Sequence, residues 1–316
     1  HHAILLGITV LTSLDTTNAL ADCIAGRYTQ FNTELVDINH LRREKLKLSF
    51  CKMHSCGNDY IFFNNFDNKI TCPESLAINF SDRHYGIGSD GIVMIERSDI
   101  ADCKVRVFNR DGSEAGLAAN PLRCVAKYSD RINIEICGGV KTLEVVSFNG
   151  VASSVSVNLG PASFDPQKIP ANTEGEVVLR PMSFGGKEYN TTAVNVGNSH
   201  CIIFCDKVDD VDLENLGQAV LTSGVFPGVA YVECARIVND LTIKLRVWDK
   251  VNGETMACGT AAAAVVAAAV KIAACAVDKV ITVKLRGGDL FVRNLENGDL
   301  VLDGSVKQSY EGVIEI

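Results

Sequence analysis

The sequence lacks both an excess of positive charge and a long apolar run, and each absence excludes a class of protein. Its 316 residues include 30 Lys and Arg against 38 Asp and Glu, which gives a net charge of -8. Nucleic-acid-binding proteins need a clustered basic surface, so this class is excluded. No apolar stretch is long enough to be a convincing transmembrane helix. An apolar content of 47% with 22% charged residues is typical of a globular protein with one large core or two domains.

Cys-x-x-Cys pairs are also absent, although the sequence holds 12 cysteines. That spacing is common in zinc sites and redox motifs, and its absence favours free, buried thiols over a metal site or a disulfide framework. Cys201 and Cys205 fit this interpretation because they alternate with bulky apolar residues in a strand-like run. We therefore expect a reducing compartment, such as the cytoplasm or a plastid.

The N-terminal residues leave the compartment open. "AILLGITVLTSL" followed by "TTNALADC" resembles the apolar region and cleavage site of a secretory signal, but no Lys or Arg precedes it. The segment is thus either a signal or transit remnant or an added amphipathic segment. We assign residues 1–47 to an N-terminal extension, because the apolar patterning typical of a globular domain begins only at the end of this segment.

The remaining sequence repeats one order of predicted elements. Each half has strands, then a short polar loop, then a helix of small residues; the loop is "NRDGSEAGLAAN" in the first half and "DKVNGETMACGT" in the second. The segment 160–175 holds three of the seven prolines and is the best linker. We predict domains at 48–165 and 166–305, with strand 306–316 a candidate to return to the first domain. The repeat suggests two helix N-termini that face each other.

Cys258 stands just before Gly259, Thr260 and a run of alanine and valine. A thiol beside a helix N-terminus meets positive partial charge and unpaired N–H groups, which lower its pKa and favour the thiolate. The glycine lets a ligand approach the backbone, whose N–H groups can hold a carboxylate. Spacing alone leaves a catalytic thiol and a buried apolar filler equally supported, since cysteine is commonly buried.

Three stretches, "FNRDGSE", "GNSHC" and "ETMACGT", occur in an order and at distances that resemble the diaminopimelate epimerase family over the chain from about Leu48 to Ile316. The resemblance implies an α/β fold of two pseudo-symmetric domains, each a curved sheet around a central helix, with the substrate in the cleft between them. It implies interconversion of LL- and meso-diaminopimelate in lysine biosynthesis, with neither pyridoxal phosphate nor a metal. One thiolate removes the α-proton, and a second thiol delivers a proton to the opposite face.

The same resemblance assigns roles to individual residues. Cys258 corresponds to the thiol of the second domain, and Gly259 and Thr260 to the amides that bind the α-carboxylate. The substrate-binding residues that it implies, together with a supporting histidine, are Asn58, Asn109, Asn120, Asn198, Asp249, Lys250 and His200.

The sequence departs from the family pattern at the first catalytic loop. The family has Cys-Gly-Asn-Gly-x-Arg-Cys where this chain has "AANPLRC", residues 118–124. Ala118 therefore stands at the position of the first catalytic thiol and cannot carry a proton. Pro121 removes a backbone N–H from the first helical turn, where proline is tolerated by the fold. Cys56, in a loop beside Asn58, and Cys124 are the candidates to replace the missing thiol.

Two further departures affect the second half. Asp249 and Lys250 replace a Glu/Arg pair, and a lysine cannot grip a carboxylate with two parallel hydrogen bonds as an arginine does. Tyr231 stands where the family has an asparagine.

Three hypotheses follow for a chain whose partner is a small amino acid and which, like its family, is expected to form a homodimer. The first is an active epimerase. The second is an isomerase or dehydratase of the same fold that needs only one thiol. The third is a folded, catalytically impaired homologue that binds a ligand or a partner protein.

Overall fold

Four α-helices occur among the residues that the computed structural model describes, which are 46–116, 119–126, 131–137, 139–148 and 151–316. They are α1 (Pro73–Ser81), α2 (Ala119–Val125), α3 (Leu213–Thr222) and α4 (Gly259–Lys271). Helices α2 and α4 are the two helices of small residues that the sequence predicts after the polar loops of the two halves. None of the helices in these ranges is long and apolar enough to cross a membrane.

Strands make up most of the remaining described chain and join into one hydrogen-bonded network of 17 strands. They are β1 (Lys47–Ser55), β2 (Asn58–Asn64), β3 (Gly91–Glu96), β4 (Cys103–Asn109), β5 (Arg131–Ile136), β6 (Gly139–Phe148), β7 (Val151–Pro161), β8 (Arg180–Phe184), β9 (Lys187–Asn195), β10 (Ser199–Phe204), β11 (Tyr231–Asn239), β12 (Thr242–Asp249), β13 (Gly253–Thr255), β14 (Ile281–Leu285), β15 (Gly288–Asn294), β16 (Asp299–Gly304) and β17 (Lys307–Glu315).

The strand pairing repeats. From β1 to β7 the successive neighbours pair antiparallel, parallel, antiparallel, parallel, antiparallel and antiparallel. The series β9, β10, β11, β12, β14, β15 and β16 shows the same six pairings in the same order. The helices keep step, because α1 and α3 precede the third strand of their series and α2 and α4 precede the fifth. The predicted fold of two pseudo-symmetric α/β halves is therefore confirmed.

The two series join directly. The last strand of each, β7 and β16, pair antiparallel over six residue pairs, and β1 also pairs with the C-terminal strand β17. Residues Leu48–Ile314 pack as one compact unit. The boundary at 165/166 stays a prediction, and residues 1–45 of the predicted extension lie outside the described ranges.

Helix α4 forms the centre of the second half. Every residue from Gly259 to Ala269 is buried, as expected for a helix that is apolar on all sides. It contacts β9, β10, β11, β12, β15 and β16, so the sheet must curve around it. The cysteines of the described ranges are all free thiols, in agreement with the composition.

Candidate active site

A narrow cleft lies where α2 and α4 begin. Both halves of the repeat line it. The first half contributes Asn58, Tyr60, Asn109, Ala115, Ala119, Asn120 and Pro121; the second contributes Tyr231, Asp249, Asn252, Thr255, Ala257, Cys258, Gly259 and Thr260.

The first turns of the two helices touch at Gly259. A Cβ atom at this position would lie 2.9 Å from Cβ of Ala119 and 2.9 Å from Oδ1 of Asn120, and 2.8 Å from a methyl group of Leu302. Only glycine allows so close an approach without displacing its neighbours. The expectation that the two helix starts face each other is therefore confirmed.

Equivalent rows of paired residues in the two halves end at the cleft. In the first half Tyr60 pairs with Gly91, which pairs with Asn109; in the second His200 pairs with Tyr231, which pairs with Asp249. The repeat thus places the amide of Asn109 and the carboxylate of Asp249 at corresponding strand ends. The backbone around the cleft is therefore pseudo-symmetric, whereas the side chains at equivalent positions differ in their chemistry.

Cys258 caps α4 with an extended backbone, at φ -140° and ψ 122°, and its side chain is half-buried at the cleft wall. Its Sγ lies 3.3 Å from Oγ1 of Thr260. Burial raises the pKa of the thiol to about 11, with the Glu233 and Asp249 carboxylates adding to the rise; the Thr260 hydroxyl and the Ala261 N–H act in the opposite direction. The expected lowering of this pKa is therefore wrong, because desolvation outweighs the helix N-terminus.

Asp249 lies in the cleft but its predicted companion does not. Oδ1 of Asp249 accepts hydrogen bonds from the backbone N–H groups of Val251, at 2.7 Å, and Asn252, at 2.8 Å. Burial raises the pKa of this carboxyl group. Lys250 is exposed and does not line the cleft, because the turn after β12 directs it outward.

Asn58 and Asn120 contact each other inside the cleft. Nδ2 of Asn120 donates to Oδ1 of Asn58 at 2.9 Å. Nδ2 of Asn58 donates to Oδ2 of Asp90 at 2.7 Å, and a guanidinium nitrogen of Arg123 donates to Oδ1 of Asn120 at 2.6 Å. The two predicted substrate-binding amides are thus part of one hydrogen-bonded array, whose end residues the sequence did not single out.

His200 and Asn198 lie beside the cleft rather than on its surface. His200 is fully buried; its ring stacks on Tyr231 with 5.0 Å between centroids, and its Nδ1 lies 2.6 Å from Oε1 of Glu233. Asn198 lies close to Gly116, since a Cβ on Gly116 would be 3.2 Å from the Asn198 Oδ1. Asn109 lines the cleft and donates from Nδ2 to Oγ of Ser113 at 3.0 Å.

Ala118 lies outside the described residues, but its neighbours Ala119 and Pro121 line the cleft. Neither candidate replacement thiol does. Cys56 points away, with its Sγ 3.6 Å from the backbone oxygen of Asp289, and Cys124 is buried in the core. Cys258 is the one thiol among the described residues that line the cleft.

Sequence reasoning missed several lining residues, chiefly Tyr60, Thr255 and Asn252. Oδ1 of Asn252 is buried and has no hydrogen-bond partner among the described residues. Tyr60 follows from the strand register once β2, β3 and β4 are paired. The "DKVNG" turn was a local signal for Asn252, since a turn after Asp249 brings its third residue back to the strand end.

Comparisons with known proteins agree on one family. Residues 50–164 and 192–308 match the family model described as diaminopimelate epimerase. A diaminopimelate epimerase of Acetivibrio thermocellus is 39% identical over 279 residues, covering 85% of this chain and 99% of the relative. One from Methanococcus maripaludis is 38% identical over 279 residues, covering 85% and 100%.

Solved structures share the fold at low sequence identity. A hydroxyproline epimerase from Agrobacterium vitis has a TM-score of 0.63 at 12% identity and covers 85% of this chain and 91% of its own. A PhzF-family phenazine biosynthesis protein of Bacillus anthracis has a TM-score of 0.62 at 12% identity, covering 86% and 100%.

Proposed function

The chain belongs to the diaminopimelate epimerase family, and we propose that it catalyses cofactor-independent proton transfer at the α-carbon of diaminopimelate, a step of lysine biosynthesis. The observation that carries the proposal is the position of Cys258, a thiol at the start of α4 on the wall of a cleft that both halves line. Relatives named diaminopimelate epimerase, matched over nearly their whole length, support the choice of substrate.

The backbone at the start of α4 suits the substrate's α-carboxylate. The N–H groups of Gly259 and Thr260 belong to the first turn of the helix, where no intrahelical acceptor exists. Together with the helix dipole they stabilise negative charge that develops on the carboxylate as the α-proton leaves. Asp249, which also lines the cleft, supplies a carboxylate for the α-ammonium group.

Cys258 then exchanges the proton on one face of the α-carbon. With a pKa of about 11 the group is a thiol at neutral pH, so it is ready to donate a proton to the carbanion. To accept a proton it must first become a thiolate. A pKa about four units above neutral leaves roughly one molecule in ten thousand in that form, and this limits the rate of proton removal.

The family's other thiol corresponds in sequence to Ala118, and Cys258 is the one thiol among the described residues that line the cleft. We propose that water supplies the proton on the opposite face, which makes inversion much slower than exchange on the Cys258 face. Positioned general acid–base catalysis typically contributes about 10²–10⁴-fold, and this is the scale of the expected gap between the two rates.

Proton NMR in D₂O tests the proposal with LL- and meso-diaminopimelate. We expect loss of the α-proton signal for the isomer whose proton faces Cys258, with slow appearance of the other isomer. The Cys258→Ser variant should lose exchange, whereas Cys72→Ser, which alters an exposed thiol, should not. Inversion as fast as exchange would reveal a second acid, and binding without exchange would show a ligand-binding homologue.

The predicted homodimer and reducing compartment complete the proposal. A free thiol at Cys258 is required for proton transfer, and a reducing compartment preserves it. Light scattering of the purified chain tests the oligomeric state.

A further inference from the structure

A hydrogen-bonded array of four side chains crosses the first half of the cleft; its members are Arg123, Asn120, Asn58 and Asp90. Arg123 donates to Oδ1 of Asn120 at 2.6 Å, Nδ2 of Asn120 donates to Oδ1 of Asn58 at 2.9 Å, and Nδ2 of Asn58 donates to Oδ2 of Asp90 at 2.7 Å. Outside the cleft, Arg83 donates to Oδ1 of Asp90 at 2.8 Å. Every donor in the series points toward Asp90.

We propose that Asp90 and Arg123 are positioning residues that fix the amide orientation of Asn58 and Asn120, and with it the polar atoms that this side of the cleft presents to the substrate. The inference rests on the function proposed above, because it takes the cleft to be the substrate site. Neither Asp90 nor Arg123 lines the cleft; each acts through the asparagine that it contacts.

The chemistry of the two end groups, Arg123 and Asp90, determines which way each amide is flipped. A guanidinium only donates hydrogen bonds and an ionised carboxylate only accepts them, whereas an amide can do either according to how it is flipped. Flipping Asn120 would set its NH₂ against the guanidinium of Arg123, and flipping Asn58 would set its oxygen against the carboxylate of Asp90. Each flip replaces a charge-assisted hydrogen bond by a repulsive contact.

The ends of the array are themselves held in place. Arg123 is fully buried and also donates to Oγ of Ser55 at 2.7 Å. Asp90 accepts from both Asn58 and Arg83, and Arg83 is bound in turn by Asp59 at 2.7 Å. The array is thus anchored in the core at one end and in a surface ion-pair cluster at the other.

A contribution to folding stability does not explain why Arg123 is buried. Nε and one terminal nitrogen of Arg123 are buried without a partner among the described residues, and burial lowers the pKa of this guanidinium. A buried cation with unsatisfied donors is costly, and apolar replacements of such groups are often neutral or stabilising. An effect of Arg123 on binding should therefore separate from its effect on folding.

Fixed amides give the cleft two different walls. On one wall both amide oxygens of the array accept a hydrogen bond, and Nδ2 of Asn120 donates both to Asn58 and, at 3.4 Å, to the backbone oxygen of Ala257. The facing wall carries the Asp249 carboxylate and the unpartnered Oδ1 of Asn252, which suit an ammonium group.

The test compares Asp90→Asn and Arg123→Met with the control Asp67→Asn, which removes one exposed carboxylate outside the cleft. Calorimetry measures the Kd of LL-diaminopimelate. We expect binding about tenfold weaker for each array variant, the loss of one charge-assisted hydrogen bond, and no change for the control. The melting temperature of Arg123→Met should stay level or rise. Unchanged binding in either folded array variant, or loss of binding only in step with loss of stability, would overturn the proposal.

Side-chain NH₂ resonances of Asn58 and Asn120 give a second measurement that needs no substrate. In the wild type both should exchange slowly with solvent, and Asp90→Asn should shift the Asn58 pair and speed its exchange. Insensitive resonances overturn the positioning role. If the wild type binds no diaminopimelate, the proposed function fails, while these resonances still decide the amide orientation. Should one variant not fold, the other carries both measurements.

Discussion

The starts of α2 and α4 occupy equivalent places in the repeated pairing pattern, yet they differ in the groups they present. The α4 start offers the thiol of Cys258, then a glycine and a threonine whose N–H groups are free of intrahelical acceptors. The α2 start offers Ala119, Asn120 and Pro121. The comparison teaches that the fold needs a helix at each place but does not need a thiol at each.

Beyond their first residues the two helices also differ, here in the polarity of their buried side chains. Helix α4 is buried and apolar from Ala261 to Ala269, whereas α2 carries the buried guanidinium of Arg123. The second half therefore holds the acid–base group on an apolar support. The first half holds donors that are oriented by charge. Four changes test or sharpen this contrast.

Removing the α4 thiol has the largest expected effect. Cys258→Ala should lower α-proton exchange by about 10²–10⁴-fold, the usual contribution of a positioned acid or base, while circular dichroism shows an unchanged fold. Exchange within tenfold of the wild type would mean that another group moves the proton, and the contrast between the helix starts would fail.

The protonation of Cys258 follows from its raised pKa. Because burial raises this pKa to about 11, the reactive thiolate is scarce at neutral pH and its fraction grows about tenfold per pH unit until the pKa is reached. The rate of alkylation by iodoacetamide, followed by mass spectrometry of the Cys258 peptide, should rise by roughly 100-fold over two pH units above neutral. A plateau near neutral pH would show that the helix N-terminus dominates after all.

Restoring the family residues at the start of α2 should make the chemistry of the two helix starts more alike. Ala118→Cys combined with Ala119→Gly and Pro121→Gly recreates the family pattern, and the ratio of inversion to exchange should rise by about 10²-fold. Ala118→Cys alone should gain less, since Pro121 still lacks a backbone N–H. Equal gains from both variants would show that the N–H at position 121 is irrelevant to the chemistry.

The smallest effect concerns packing between the helices. Gly259→Ala adds a methyl group 2.8–2.9 Å from Leu302, Ala119 and Asn120, and such overpacking typically costs about 1–3 kcal/mol. Urea unfolding measures the loss. Ala119→Gly in the Gly259→Ala background removes one of the three contacts and should recover part of it; no recovery would place the strain elsewhere.

Motifs located most of the site but not its energetics. Asn58, Asn109, Asn120, Asp249 and Cys258 were all expected and all line the cleft, because each belongs to a local pattern beside a helix start or strand end. The predicted direction of the pKa shift of Cys258 was wrong. A helix N-terminus is visible in the sequence, whereas the desolvation that outweighs it is the sum of atoms from many distant segments.

The unpredicted residues depend on pairing between distant strands. Tyr60 enters the cleft through the register of β2 with β3, and Lys250 is turned outward by the tight turn after Asp249. Asp90 and Arg123 bind the site amides from two separate segments. Element types and their repeat could be inferred from periodicity, but strand partners separated by many residues have no local signature.

The pairing of β7 with β16 constrains the order in which the chain can assemble during synthesis. Asn158 and Asp299, which are hydrogen-bonded across this pair, are 141 residues apart. Until β16 leaves the ribosome, β7 presents an unpaired edge of the kind that invites aggregation. The first repeat must therefore wait, with its last strand exposed, for nearly the whole chain to be translated.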